Sequence, residues 1–468
     1  MTVTRFQLRP PPWWGLLTFC LPGLVLVTGC QRQLPPDDVA QRVSSITAVE
    51  EPIQFSLVGE DIDARHGNGS SLTLEQAVRS ALKHDAGVQA ALARVRVALA
   101  DAKQARLLPN PVLSVVVRFP EGGGKTQIDA GLSADLLALL QTPRRIDAAD
   151  NRLRGSAADV LVTAIDLVSD VQERYAAAQA ADAELAVLRE RQRLIARLLD
   201  LARSRLAVGE SSRLDVITLD AERVSLDVEI TQALSSRREE RLALARLIAQ
   251  PSGPIDWELT PWTPDGPVAV DEPSWIRAAL EHRPEIESLR WELAALGDDA
   301  ALARFAAFDG AEVGVEAERD DDWSVGPAIA TPLPLFDWGY QRRAKVDAQR
   351  IEARHKLTQA RRQVVEEVRR ALESIMSSQA ALKQVQAELI PLSDQRVEQA
   401  EAAYKNGLAD VTALLLAQQE AQAARSKLIE LQQKASSAVY RLHRAVGGPG
   451  VAVHVPATTP TTAPSTKK

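Results

Sequence analysis

Three glycines followed by Lys125 and Thr126 form the segment of this chain most similar to a catalytic motif. Glycine amides beside a lysine can cradle a phosphate group. The segment Gly122-Gly123-Gly124 lacks the upstream glycine of a P-loop, however, and a strand is predicted on each side of it. The six histidines are scattered, with no pair at metal-binding spacing. We therefore expect no enzymatic activity, no cofactor and no metal site.

Cys30 is the residue with the clearest predicted chemistry. Arg5 and Arg9 precede an apolar stretch from Trp13 to Val27, and the stretch closes on Leu26-Val27-Thr28-Gly29-Cys30. This arrangement is typical of a secretory signal and resembles the lipobox of bacterial lipoproteins. The resemblance implies that residues 1–29 are removed and that Cys30 is lipidated. An ordinary signal peptide with a coincidental cysteine is the alternative.

The residues next to Cys30 predict where the chain resides. By family analogy, Gln31 in place of an aspartate favours sorting to the outer membrane. Pro22 and the short apolar run disfavour a spanning helix. Residues 30–71 show no sustained periodicity, and we expect an extended segment. The Thr- and Pro-rich end of the chain predicts a disordered tail at 449–468.

The chain repeats itself at a constant offset of 198 residues, which indicates a duplicated half-molecule. Arg144-Arg145 returns as Arg342-Arg343, and Gly209 returns as Gly407. This unit is too long for a solenoid repeat. We predict a first repeat at 72–250, a linker or equatorial segment at 251–272 and a second repeat at 273–448.

Composition narrows the class of protein. The 468 residues carry a formal net charge of −7 and only 4% aromatic residues. There is no basic patch interleaved with aromatics, so nucleic acid is not an expected partner. Long stretches of Ala, Leu, Arg, Glu and Gln indicate extended helices that pack against one another.

Each repeat is predicted to contain one helix, one β-hairpin and two very long helices. The first helix is expected at 73–108. Apolar and polar residues alternate in 112–119 and 127–136, and again around Trp323 in the second repeat; this period is typical of strands. We place hairpins at 111–137 and 311–334, and long helix pairs at 144–250 and 340–448.

The predicted strands have one apolar face and one acidic face, as strands of a transmembrane barrel do. A soluble sheet can show the same alternation, but a lone hairpin is only marginally stable. One chain supplies four strands, too few to close a barrel, so closure requires several copies. The side chains expected to face the lumen are Arg118, Asp129, Asp135, Glu312, Glu316 and Glu318.

Heptad spacing along the long helices predicts coiled-coil contacts. One such seam is Leu214, Ile217, Ala221, Val224 and Val228. A second is Leu382, Val385, Leu389 and Leu392, and a third runs from Ala424 to Ala445. A plain coiled-coil rod would need neither the strands nor the signal. The predicted fold class is therefore mainly α with a membrane β part.

Taken together, these features resemble the TolC family of bacterial outer membrane efflux proteins. Several segments carry the resemblance: Leu72-Thr73-Leu74-Glu75-Gln76-Ala77, Pro109-Asn110-Pro111, residues 207–216, Pro332-Leu333-Pro334-Leu335-Phe336-Asp337-Trp338-Gly339 and Tyr404-Lys405-Asn406-Gly407. The resemblance implies a homotrimer with a twelve-stranded barrel in outer membrane lipid and a helical tunnel in the periplasm. It also implies a periplasmic adaptor (membrane fusion) protein and an inner-membrane pump, such as an RND or ABC transporter, as partners.

The resemblance also implies roles for the two glycine turns. The residues expected to meet adaptor hairpins are Leu206, Val208, Gly209, Glu210, Ser211, Tyr404, Asn406, Gly407 and Leu408. The residues expected at a periplasmic gate are Asp215, Asp410 and Leu416. The second turn departs from the family pattern because Ala413 stands where a second acidic residue is usual. An apolar constriction at 414–416 is therefore an alternative to a carboxylate ring.

The expected function is an exit duct that passively conducts small molecules or ions delivered by a pump. Two alternatives stay open at this point. One is a type I secretion exit for polypeptides, built on the same fold. The other is a periplasmic coiled-coil lipoprotein that never spans the membrane.

Overall fold

The protein is described here by a computed structural model, which covers residues 36–49, 55, 71–119, 121–122, 126–262, 271–319 and 322–453. The predicted signal peptide, Cys30 and residues 454–468 of the predicted tail lie outside the described residues. So does most of the glycine-lysine segment, at 123–125.

The first half holds one hairpin between helices. Its elements are α1 (Pro36–Thr47), β1 (Ser71–Leu72), α2 (Leu74–His84), α3 (Ala86–Ala105), β2 (Val112–Arg118), β3 (Gln127–Asp135), α4 (Leu136–Ala207) and α5 (Arg213–Leu247). α4 has 72 residues and is therefore about 110 Å long. It begins earlier than the predicted 144 because the Asp135 carboxylate accepts a hydrogen bond from the Ala138 amide at 2.7 Å and caps it.

The second half repeats the order of the first. Its elements are β4 (Glu258–Leu259), α6 (Glu272–His282), α7 (Pro284–Ala303), β5 (Glu312–Arg319), β6 (Trp323–Ala330), α8 (Tyr340–Gln384), α9 (Ile390–Lys405) and α10 (Val411–Val446). The two predicted hairpins are therefore present, each between helices. Within the described ranges, no helix combines the length and apolar character needed to cross a bilayer.

The helix predicted at 73–108 is wrong in one respect, because it is broken at Asp85. Asp85 adopts an extended backbone, ends α2 and accepts a hydrogen bond from the Val88 amide at 2.9 Å. Arg283 takes the same place between α6 and α7 and precedes Pro284, the first residue of α7. Aspartate competes well for helix N-caps, so it favours a break that helix periodicity does not reveal.

Arg283 joins three elements of the second half. Its buried guanidinium donates to both carboxylate oxygens of Glu285 at 2.9 Å and pairs with Glu367 of α8. It also donates to the Ala445 carbonyl of α10 at 3.4 Å. Burial alone would lower the pKa of Arg283, but the hydrogen bonds and charges of Glu285 and Glu367 raise it.

Arg283→Ala is expected to lower the thermal unfolding midpoint of the detergent-solubilised protein. Removing one partner of a buried ion pair leaves the other uncompensated, at a cost of about 3–5 kcal/mol. Arg193→Ala is the matched control, because Arg193 is exposed and pairs only with Glu190 on its own helix among the described contacts. Circular dichroism at increasing temperature checks both variants. Equal midpoints for the two would contradict a central role for Arg283.

A π-helical turn at Val385–Leu389 separates α8 from α9. Pro391 follows it and lacks the amide hydrogen that a regular helix needs. Val385 is buried, whereas Leu389 and Leu392 are exposed. Within one protomer, the seam predicted through these residues is therefore covered only in part.

Within the segment predicted to be extended at 30–71, residues 36–47 form the helix α1 instead. α1 buries Val39 and Val43 against the first core, a cluster of buried apolar side chains from α2, α3, α4 and α5, with Ile46 packed beside them. Their spacing is helical but covers only eight residues. The Gly450 amide donates to the Ile46 carbonyl at 2.9 Å. Val451 and Val453 pack against the second core, a cluster of buried apolar side chains from α6, α7, α8 and α10. The tail predicted from residue 449 therefore contributes its first residues to the packed body.

The four longer strands form one antiparallel sheet in the order β2-β3-β5-β6. The register pairs Val116 with Asp129, Asp129 with Glu318 and Glu318 with Ser324. Since side chains alternate across a strand, these residues share one face. A third core combines buried apolar side chains of α4, α5, α9 and α10, and the three cores hold the helices together.

Candidate functional site: the helix tips and the faces of the sheet

Both long helix pairs reverse direction through the same backbone structure. Gly209 has φ +81° and Gly407 has φ +71°, a region that glycine adopts without strain. The residue after each glycine donates back across the turn, Glu210 to the Arg205 carbonyl at 2.8 Å and Leu408 to the Ala403 carbonyl at 2.9 Å. This is the Schellman pattern of a helix end. The duplication has therefore preserved the geometry of both tips.

Arg205 joins the two tips. Its guanidinium donates to the Tyr404 carbonyl at 3.0 Å and to the Lys405 carbonyl at 3.2 Å. These carbonyls belong to the C-terminal end of α9, where a positive charge is favourable. The guanidinium also lies over the Tyr404 ring, 5.6 Å from its centre. Arg205 is not among the residues expected at the tips. An arginine in the last turn of a helix is a known capping signal, but that signal points to the carbonyls of its own helix and not to those of α9.

Asp215 organises the start of α5. Its carboxylate accepts hydrogen bonds from the Ser211 hydroxyl at 2.7 Å and the Ser212 amide at 3.1 Å. Ser212 in turn accepts from the Asp215 amide, which completes a capping box. Burial raises the pKa of the Tyr404 hydroxyl, and the charge of Asp215 raises it further. The predicted gate residue thus lies in one network with both tips.

This network is expected to stay intact across the neutral pH range. Burial would raise the pKa of Asp215, but hydrogen bonds from Ser211 and Ser212 lower it below the usual value of 3.8. A lowered pKa gives stabilisation that is present above the ordinary value and is lost as the pH falls through the folded value. Hydrogen exchange of tip amides, corrected for intrinsic rate, should be constant from about pH 8 to about pH 5 and rise below about pH 4.

Asp215→Asn is expected to abolish that rise at the amides of the first tip, because the asparagine does not titrate. A rise that begins at about pH 6 would instead assign the effect to a histidine.

The predicted adaptor-contact residues divide into exposed and buried side chains. Leu206, Val208 and Leu408 are exposed, and Leu408 reaches 81%. Gly209, Glu210, Asn406 and Gly407 are also exposed, whereas Ser211 is half-buried. Tyr404 is only 4% exposed and packs in the third core. It was predicted to face a partner, but it faces the interior of the tip.

The two remaining predicted gate residues, Asp410 and Leu416, have different surroundings. The Asp410 carboxylate accepts from the Ala413 amide at 3.0 Å and caps α10. Leu416 is exposed, but Leu414 and Leu415 are buried. An apolar constriction by the whole run 414–416 is therefore excluded within one protomer. Of these three leucines, only Leu416 has an exposed side chain that a channel or another copy could meet.

The acidic face of the sheet contains all six residues predicted to line a lumen. Arg118 pairs with Asp129, and the Ser133 hydroxyl donates to Glu312 at 2.7 Å. Asp135 caps α4, and Glu316 and Glu318 are exposed. Asp129 lies opposite Glu318, and Asp135 lies opposite Glu312. Like charges directly opposite repel one another, so this face is suited to water and cations.

The other face of the same sheet is apolar and exposed. Its exposed side chains are Leu113, Val115, Val117, Leu132, Val313, Val315, Trp323, Val325 and Ile329. Water-exposed strands do not normally carry an apolar patch of this extent. A lipid environment would satisfy these side chains. Among the described residues, no group of His, Cys, Asp or Glu is placed to hold a metal ion.

Comparison with known proteins identifies the family. The sequence pattern of the outer membrane efflux protein family matches residues 77–250 and 275–448, one match in each half. The chain belongs to the outer membrane efflux protein family. Its members are located in the outer membrane, with helical bodies in the periplasm. This assignment also accounts for the duplication, since the family unit occurs twice.

Individual relatives agree with this assignment. The chain is 24% identical over 276 residues to the cobalt-zinc-cadmium resistance protein CzcC of Cupriavidus metallidurans; the match covers 57% of this chain and 64% of that protein. The outer-membrane channel OprN has a similar fold, with a TM-score of 0.68 and 19% identity over 81% of this chain and 91% of OprN. VceC of Vibrio cholerae also has a similar fold, with a TM-score of 0.68 and 21% identity over 80% of this chain and 96% of VceC.

Proposed function

We propose that this protein is the exit duct of a tripartite efflux system and that it conducts solute passively. The observation that carries the proposal is the two-faced sheet, with an exposed apolar surface on one side and carboxylates on the other. A closed wall of such strands lets a hydrated solute cross lipid without loss of its water. No bond needs to be made or broken for this work.

Closure of that wall requires other copies of the chain. β2 and β6 lie at the two edges of the described sheet, and unpaired edges are not tolerated in hydrocarbon. The predicted seam on α5 also lacks cover in one protomer, because Leu214, Ile217, Val224 and Val228 are all exposed. Three copies would pair the edges as a twelve-stranded barrel, cover the seams and place the acidic faces inward.

The proposed partners follow from the two ends of the helical body. The exposed tips, on which the side chains of Val208 and Leu408 are strongly exposed, would meet a periplasmic adaptor protein. The adaptor would connect the duct to an inner-membrane pump of the RND or ABC class. Lipidation of Cys30 would add a second attachment to the outer membrane. The helix tips would hold the closed entrance through the Arg205 contacts.

Divalent metal cations are the proposed substrate class. The relative from Cupriavidus metallidurans is named for cobalt, zinc and cadmium resistance. The acidic face of the sheet supports the same substrate class, because its negative carboxylates attract cations and three copies of the chain would triple their number. Growth of a strain that lacks its own duct, in graded zinc, cobalt and cadmium, tests this proposal. Restored metal resistance supports it, and restored resistance to organic toxicants alone would oppose it.

The proposed duct is expected to prefer cations in planar bilayers. In a gradient around 0.1 M KCl, charge acts over about 10 Å, whereas at 1 M it acts over about 3 Å. The reversal potential should therefore show cation preference at low salt and lose most of it at high salt. Glu316→Gln should weaken the preference, and Glu190→Gln, on an exposed part of α4, should not. An anion-selective pore would contradict the assignment of the acidic face to the lumen.

A further inference from the structure

A cavity of about 670 Å³ lies beside the second half of α5, where the chain turns toward β4. Its walls include the segment 251–256 and three arginines of α5, which are Arg237, Arg238 and Arg241. We call it the arginine cavity. Along α5, Arg241 lies about 40 Å from Arg213, the first residue of the helix. The described walls include no residue of the sheet or of the helix tips, so this cavity is separate from both.

Two of the three arginines are held in fixed positions. The Asp182 carboxylate of α4 accepts from Arg237 Nε and from Arg241 Nη2, each at 2.6 Å. Arg241 also donates to the Ile255 and Trp257 carbonyls at 2.6 and 2.8 Å. Its side chain is only 3% exposed, yet its Nε is buried without a described partner. The guanidinium groups are therefore ordered before any ligand arrives.

The arginine cavity retains donors and positive charge. Among the described hydrogen bonds, Arg237 uses only its Nε, which leaves both terminal nitrogens available. Arg238 is exposed and has no hydrogen bond or ion pair within the described part of the chain. Three guanidinium charges stand against two carboxylates, Asp182 and the exposed Asp256 of the cavity wall. The balance is one positive charge, which favours an anionic ligand.

The duplication shows that the fold does not require these arginines. The offset of 198 residues places Ala435, Ser436 and Val439 at the positions of Arg237, Arg238 and Arg241, and Ala380 at the position of Asp182. The turn after the helix is kept in both halves, with φ +58° at Ala249 and φ +110° at the equivalent Gly447. The second half therefore forms the same helix end with apolar and small side chains. The arginine cluster of the first half is an addition to the shared fold.

The walls of the cavity define a class of ligand. A planar guanidinium matches the two oxygens of a carboxylate, and Asp182 already binds two guanidinium groups in this way. Leu234 and Leu242 also line the cavity and are 39% and 43% exposed, which gives it an apolar side. Asp256 disfavours ligands with several negative charges. The volume lies within the range of small-molecule sites.

We propose that the arginine cavity binds a single carboxylate carried on a short apolar body. Arg237 and Arg238 would pair with the carboxylate, while Leu234 and Leu242 would contact the apolar body. A free organic acid and the terminal carboxylate of a peptide share this chemistry. The proposal does not depend on the proposed function, because no residue of the sheet or of the helix tips takes part in it.

Isothermal titration calorimetry of the full-length protein in a mild detergent tests the proposal. The probes are the dipeptide N-acetyl-alanyl-alanine, the same dipeptide with an amidated C-terminus, pentanoate and inorganic phosphate. Arg238→Ala removes an exposed cation of the cavity. Arg197→Ala is the matched control, because Arg197 is an exposed arginine of α4 that lies outside the cavity and has no described ion pair. Circular dichroism verifies that both variants are folded.

We expect the dipeptide with the free carboxylate to bind roughly tenfold more tightly than its amide. Arg238→Ala should weaken this binding by a similar factor, since one charge-assisted hydrogen bond accounts for about tenfold. Arg197→Ala should leave it unchanged. Pentanoate that binds as tightly as the dipeptide would assign the site to free organic acids, whereas weaker binding of pentanoate would assign it to peptides.

Four results would overturn the proposal. They are equal binding of the free and amidated dipeptides, equal loss in the two variants, tighter binding of phosphate than of either carboxylate, and no binding by the unsubstituted chain. The comparison of acid with amide needs no substitution, so the test holds even if Arg238→Ala does not fold.

Discussion

Val115→Arg is expected to abolish detergent-resistant assemblies of this protein, whereas Val116→Arg is expected to leave them intact. The two residues are neighbours at the centre of β2, with exposures of 57% and 45%. Val115 lies opposite Ala130 on the apolar face, and Val116 lies opposite Asp129 on the acidic face. The two variants make the same substitution, Val to Arg, on opposite faces of the sheet. Comparing them therefore tests which face meets lipid.

The expected difference in stability between the two assemblies is large, because each assembly contains the substitution once in every copy of the chain. Arginine on the lipid face near the bilayer centre costs about 2–4 kcal/mol. Three copies would raise the cost to about 6–12 kcal/mol for the trimer. In Val116→Arg the new side chain would instead face water and the Asp129 carboxylate, at little cost. Unheated gel electrophoresis and conductance in planar bilayers measure the outcome. Equal loss in both variants would show that the sheet does not separate lipid from water.

Arg205→Ala is expected to open the proposed duct. The substitution removes two charge-assisted hydrogen bonds between α4 and the end of α9. Each such bond contributes about 1.5–3 kcal/mol when well formed. Because Arg205 is partly exposed, we expect about 2 kcal/mol in total, which corresponds to a shift of roughly thirtyfold toward the open state. Single-channel recording of the open probability measures this shift.

Arg203→Ala provides the matched control for Arg205→Ala. Arg203 lies on the same helix, but its described contacts are with Asp200 and Asp220 of α4 and α5. It therefore makes no described link to the second tip. An open probability that is unchanged in Arg205→Ala, or raised equally in both variants, would remove Arg205 from the closed entrance.

The sequence predicted the features of the fold that depend on local periodicity. Alternation along 112–119 and 127–136 located both strands and the faces of their side chains. Glycine at 209 and 407, each within a long helical run, located both reversals. The break at Asp85 and the helix α1 were missed, because a single capping residue and eight residues of amphipathic spacing are weak local signals.

Contacts between distant parts of the chain explain why the site was harder to predict than the fold. Arg205 and Tyr404 are 199 positions apart, and no spacing rule relates them. Arg191 on α4 is likewise buried between Glu222 of α5 and Gln422 of α10, which local patterns do not reveal. Tyr404 was expected at the adaptor contact from the family resemblance, yet it is buried in the third core with side chains of α4, α5 and α10. Residues whose contacts join distant parts of the chain, such as Arg205, can be identified only from the three-dimensional structure.

Native mass spectrometry of the protein extracted from outer membranes in a mild detergent measures whether three copies of the chain join the free edges of β2 and β6 into one closed wall. We expect a particle with three times the mass of the mature chain. A particle that contains a single chain, with its sheet intact, would rule out this closure.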